Sequence, residues 1–112
     1  METAESSVTQ LIEDLKRGDE QAALALWDRF LPRLRAVANR TLATVPRTAA
    51  DQSDALQDAQ ISFWKKAAAG NLPEDLNQNS LWGLLRVIVF RKALRQVRKG
   101  KSELPEAALP AF

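Results

Sequence analysis

Asp54, Gln57 and Asp58 stand at i, i+3 and i+4, a spacing that sets two carboxylates and an amide on one face of a helix. Such groups accept charge-assisted hydrogen bonds from arginine and lysine, so the triplet suits docking on a basic partner. As a pair for acid–base catalysis Asp54 and Asp58 lack company, because no glycine-rich loop or basic phosphate cradle goes with them. A second set is cationic. Arg91, Arg95 and Arg98 follow one another at spacings of four and three, with Arg86, Lys92 and Lys99 beside them. From Arg86 to Lys101 there are seven bases and no acid, which is the composition of a surface that meets phosphates. Each set also has a plainer reading as a solvated helix surface, with Asp54 and the basic run complementing helix dipoles.

The rest of the composition narrows the chemistry further. The chain of 112 residues has no cysteine and no histidine. Disulfides, thiolate or imidazole metal ligands, Cys or His nucleophiles and Ser-His-Asp chemistry are thereby excluded. The expectation is a protein without catalytic residues, metal or cofactor. With 46% hydrophobic and 27% charged residues, the chain has the makeup of one globular domain. Net charge is only +2, yet residues 57–112 hold nine bases against five acids. One basic pole on a near-neutral domain points to a polyanionic partner for that pole. No apolar run approaches the ~18 residues of a membrane span, and the N-terminus METAESSVTQ is too polar for a signal peptide. A cytoplasmic location is expected, and no membrane partner.

Helices must carry both sets, since apolar periodicity is helical throughout. Four segments are expected, over about 8–17, 19–43, 54–69 and 80–99. Val8, Leu11, Ile12 and Leu15 mark the first, with a capping box of Ser7 and Gln10 at its start and Gly18 at its end. Asp19 caps the second, whose stripe is Ala23, Leu26, Trp27, Phe30, Leu34, Val37 and Ala38. Pro32 lies in that stripe and predicts a bend near 28–31 without a break. Thr44 to Ser53 reads as a connection. The third segment buries Leu56, Ala59, Phe63 and Ala67 and stops at Gly70. Asn71 to Ser80 reads as a loop of turns, with Asn79 or Ser80 capping the fourth segment. That segment turns Leu81, Leu84, Leu85, Ile88 and Leu94 to the core. The expected fold is all-α, a compact bundle of four helices over residues 1–101, with 102–112 as linker or disordered tail.

The run Asp54-Ala55-Leu56-Gln57-Asp58, followed by Ile61, Phe63 and Trp64, resembles the Asp-Leu-Val-Gln-Glu…Leu-Trp motif of bacterial sigma factors. Upstream, Leu15-Lys16-Arg17-Gly18-Asp19, then Ala22-Ala23 and Leu26-Trp27, is similar to the opening of the same region, and Leu31-Pro32-Arg33-Leu34 to its Pro-Arg-Leu. Leu81-Trp82, Leu84 to Ile88, Arg91-Lys92-Ala93 and Gln96 to Lys99 complete the likeness. The group resembled is the extracytoplasmic-function (ECF) sigma factors, region 2 only, across about residues 8–101. The residues at 102–112 are too few for the second helical domain, region 4, that such factors add.

The resemblance implies two surfaces. Asp54, Gln57, Asp58, Ile61 and Trp64 would meet the clamp helices of the RNA polymerase β′ subunit. Asn77, Gln78, Asn79, Ser80, Arg86, Arg91, Lys92, Arg95, Arg98 and Lys99 would engage promoter DNA at the −10 element and assist its melting. An anti-sigma factor is a further possible partner. Trp82 and Phe90 can offer aromatic faces, though burial of Trp82 in the core is the stronger expectation. Members usually carry aspartate at the position of Arg95, and many carry asparagine at that of Arg91, so the fourth helix is more basic here. The competing reading is a helical interaction module that binds polymerase or an anti-sigma factor without selecting promoters. A further competing account has Arg95 paired with Glu74 or Asp75 as a structural ion pair.

Overall fold

The computed structural model describes the backbone of residues 4–43 and 49–103, and the side chains of 7–43 and 52–98. Four helices follow in order: α1 Ala4–Lys16, α2 Glu20–Leu42, α3 Ala49–Ala68 and α4 Gln78–Glu103. Among the described residues there is no strand, so the all-α expectation holds. The α4 helix packs on both α2 and α3, these two pack on each other, and α1 lies against α2 and touches α4.

The joint between α1 and α2 is built as the sequence predicts. Gly18 adopts a φ of 84°, a left-handed conformation that side chains resist, and its N–H donates to the Leu15 carbonyl at 2.9 Å. Asp19 then caps α2, its carboxylate accepting from the N–H groups of Gln21 at 2.9 Å and Ala22 at 3.3 Å. Asp14 accepts from the Arg17 guanidinium and from Gln10, and these bonds hold its carboxyl below the ordinary value. A depressed carboxylate contributes stability at neutral pH that fades as the pH falls through its acid range. The α2 helix runs unbroken through Pro32.

Several boundaries differ from the sequence-based ones, each for a local reason. Helix α1 begins at Ala4, so Ser7 lies inside it and the Ser7–Gln10 capping box is not its start. The α3 helix begins at Ala49, because two alanines, the best helix formers, open it; residues 49–53 are therefore helix and not connection. The remainder of that connection, 44–48, lies outside the described residues. Helix α4 runs past Lys99 to Glu103, and Pro105 disfavours helical geometry at the residue before it. Ser102 and Glu103, expected in the 102–112 tail, thus belong to α4, and the rest of that tail, 104–112, falls outside the described residues.

The start of α4 is also capped differently. Asn77 is the cap, in place of Asn79 or Ser80. Its side-chain oxygen accepts from the Ser80 N–H at 3.0 Å, while the Ser80 hydroxyl accepts from the Asn77 N–H at 2.9 Å. This reciprocal pair satisfies two donors that a helix start leaves open. Asn77→Ala is expected to cost about 1 kcal/mol, which lowers the melting temperature by about 4–8 °C for a domain of this size. A thermal melt followed by circular dichroism checks it, and a shift below one degree would show that the cap is dispensable.

The core is wholly apolar among the described residues. Trp27 stacks on Phe63 with centroids 6.3 Å apart, and Leu15, Leu26, Leu34, Leu81 and Leu85 close around that layer without exposure. On α4 the buried line is Leu81, Leu85, Val89, Ala93 and Val97. Leu84, Ile88 and Leu94, expected inside, are only half-buried. The i+4 spacing of the buried line follows the ridge along which α4 meets two helices at once, and that ridge, rather than hydrophobicity, selects which leucines enter. A smaller cluster of Leu42, Ala55, Ala93 and Val97 closes the other end of α2, α3 and α4.

Candidate functional site

Two exposed helix faces hold the residues singled out by spacing. On α3 the core takes Ala55, Leu56, Ala59, Phe63 and Ala67. The opposite side presents Asp54, Gln57, Asp58 and Ile61, all exposed and at the i, i+3, i+4, i+7 spacing. Ile61 is 46% exposed, unusual for a large aliphatic side chain, and it extends the acidic stripe by an apolar step. Trp64 is half-buried one turn on, packed against the core edge.

Ile61 and Trp64 do not stand alone. They line a cleft of about 220 Å³ between α2 and α3, together with Leu24, Ala23 and Phe63 and with Glu20 and Lys65 at its margin. Leu24 is 42% exposed. Nothing in the spacing of α2 singles it out, because it falls beside the core stripe instead of on it. The available signal is that it is a large apolar residue next to the stripe with no place inside. The structure thus joins α2 to the α3 stripe as one surface, acidic at Asp54 to Asp58 and apolar from Ile61 to Leu24.

The second face belongs to α4. Arg86, Arg91, Arg95 and Arg98 are exposed and Lys92 is half-buried. The side chain of Lys99 lies outside the described residues. Among the described residues no ion pair joins Arg95 to Glu74 or Asp75; Lys16–Glu13 and Arg17–Asp14 are pairs within and just after α1. A guanidinium left to solvent on an acid-free helix face is available for a polyanion.

At the N-terminus of α4 the four polar candidates divide. Asn77 and Ser80 spend their side chains on each other's backbone in the cap. Gln78 and Asn79 are exposed, with amides directed by no such bond, so they are the ones left to read a ligand. Trp82, expected inside the core, is only half-buried and packs against the core's edge. Its ring stacks on Phe30 with centroids 6.0 Å apart, and the Arg33 guanidinium carbon sits 4.1 Å from its centroid. That cation covers an indole face at the short end of the cation–π range, so Trp82 is braced in place instead of open for stacking. Phe90, 45% exposed on α4, is the aromatic ring that remains accessible.

No helix among the described residues is long and apolar enough to cross a membrane, and no cluster of acidic side chains among them is placed to hold a metal ion. The arrangement offers surfaces for macromolecules: one acidic and apolar, one basic. A family model described as ECF sigma factor matches residues 5–104. No curated protein and no solved structure matches the chain.

Proposed function

The chain belongs to the ECF sigma factor family, and from that premise we propose a domain that docks on core RNA polymerase through α3 and holds promoter DNA at the −10 element through α4. The family is one of non-enzymatic transcription initiation factors, and a domain that serves polymerase and promoter would act in the cytoplasm. The observation that carries the reading is the segregation of charge. The exposed stripe of α3 is acidic and amide-bearing, whereas α4 from Arg86 to Arg98 presents bases with no acid among them. One domain must hold a protein and a nucleic acid at once, and two surfaces of opposite sign keep each partner off the other's site.

On the polymerase side, Asp54, Gln57 and Asp58 supply acceptors to the cations of the β′ clamp helices, and Ile61 with Trp64 supplies the apolar anchor. The same face would be the one an anti-sigma factor covers. On the DNA side, Arg86, Arg91, Lys92, Arg95, Arg98 and Lys99 neutralise phosphates and set register. Selectivity then falls to Gln78 and Asn79, whose amides are free to bond base edges. Asn77 and Ser80 contribute by fixing the helix start that aims them.

Titrating the chain with single-stranded −10 DNA and with a scrambled strand tests this reading. A preference for the −10 strand supports it; equal affinity would instead favour a module that binds polymerase or an anti-sigma factor without promoter selection. The salt dependence tests the basic face. Three or four phosphate contacts on a single strand give a slope of log affinity against log salt of about −2 to −3. Arg95→Asp removes a cation and adds an anion, so it is expected to flatten the slope by about one unit and weaken all sequences alike. Because Arg95 has no acidic partner among the described residues, the melting temperature should stay put. An unchanged slope would end the phosphate assignment of that residue.

A further inference from the structure

The exposed side of α3 changes sign along its length. Its first half carries Asp54 and Asp58, and its last turn carries Lys65 and Lys66. Asp58, Ile61 and Lys65 stand at i, i+3 and i+7, so an acid, an apolar side chain and a base share one line over two turns. All three are exposed, and neither Asp58 nor Lys65 forms an ion pair among the described residues. The midpoint between Asp58 and Lys65 falls half a residue beyond Ile61, which is about 1 Å along the helix axis. Beside that point Leu24 and Trp64 line the same cleft as Ile61, so the centre of the line is also its apolar part.

We propose that the exposed side of α3 is a self-association face, on which a second copy of this chain packs antiparallel about a twofold axis at Ile61. A twofold interface needs a surface complementary to itself. Turning the line end for end sets Asp58 of each copy opposite Lys65 of the other and Ile61 against Ile61. A parallel arrangement would set acid on acid and base on base, so charge alone fixes the direction. A partner of one sign fits the line less well, because cations that suit Asp58 meet like charge at Lys65. One helix face with Leu24 beside it is smaller than the roughly 800 Å² per partner of a standard interface, so the dimer is weak, with a Kd on the order of tens of micromolar. The face is also the one assigned above to polymerase, so dimer and polymerase exclude each other. That exclusion rests on the polymerase reading, whereas the dimer itself does not.

Sedimentation velocity of the whole chain over roughly 10–500 μM is expected to show a monomer–dimer equilibrium. Asp58→Lys and Lys65→Asp should each weaken it about tenfold, since the twofold axis turns both ion pairs of the interface into repulsions. An equimolar mixture of these two variants should dimerise as tightly as the unaltered chain, because across the mixed pair every acid again faces a base. Glu74→Lys makes the same change of net charge as Asp58→Lys at an exposed position outside α3, and should leave the equilibrium as it is. A chain that stays monomeric throughout, single variants that dimerise undiminished, or a mixture no tighter than its components overturns the self-association face. An equal loss in Glu74→Lys does so too, since net charge would then be the cause. If the chain stays monomeric while Asp58→Lys loses polymerase, the dimer alone fails. If the dimer behaves as expected while polymerase binding is untouched in Asp58→Lys and Gln57→Ala, the polymerase reading fails and the dimer stands.

Discussion

Asp58→Lys is expected to weaken association with core RNA polymerase about thirtyfold, near 2 kcal/mol, while leaving the domain folded. Asp58 is exposed at the centre of the α3 stripe, between Asp54 and Gln57 on one side and Ile61 on the other. It lies well inside α3, away from either end, so it caps nothing. It forms no ion pair among the described residues. Exposed helix substitutions of that kind usually shift stability by no more than about 0.5 kcal/mol. Facing clamp-helix cations, however, the lysine would replace an attraction with a repulsion, beside the apolar surface of Ile61, Trp64 and Leu24 that the same partner would cover. Gln57→Ala removes one acceptor without adding charge and should cost less. A pull-down of polymerase, with circular dichroism as the folding control, measures both variants. Unchanged binding by both would remove the main support for the polymerase assignment.

Phe63→Ala is expected to destabilise the domain by about 3–5 kcal/mol. The side chain is only 1% exposed and its ring stacks on Trp27 across the α2–α3 interface. Truncation leaves a cavity that the surrounding helices cannot close without moving α3, and it strands one face of the indole. A small domain typically has about 5–15 kcal/mol in all, so the variant would be marginal at physiological temperature. Urea unfolding followed by tryptophan fluorescence reads the change directly, since Trp27 is the stacking partner. Phe63→Leu, which keeps most of the volume, should recover more than half of the loss. A loss under 1 kcal/mol for Phe63→Ala would mean that the layer repacks freely and that the face of α3 is not rigidly set by its core.

The two effects are linked through α3. One side of the helix is pinned by Phe63, Ala59 and Leu56, and the other carries Asp54, Gln57 and Asp58. The rigidity of the buried side is what gives the exposed side a fixed aim. Weak core packing would therefore cost binding as well as stability, even with every interface residue intact.

Periodicity and composition made the four helices, the Asp19 cap, the Gly18 and Gly70 stops and the acidic stripe of α3 legible in advance, because each follows from local rules. A cap needs a short polar side chain, a left-handed turn favours glycine, and a stripe at i, i+3, i+4 shares one face whatever surrounds it. Missing cysteine and histidine likewise excluded whole classes of chemistry without any coordinates. Three-dimensional packing alone decided which leucines of α4 are buried, since Leu81 and Leu85 lie on the ridge that two helices grip while Leu84 and Leu94 flank it. It decided that Asn77 and Ser80 brace the helix start while Gln78 and Asn79 stay exposed, a matter of cap geometry that composition leaves open. It also placed Arg33 over Trp82, Leu24 beside Ile61, and Arg40 across a groove from Phe90. Those pairs are separated by tens of residues in the chain, and only the way the helices cross brings them together.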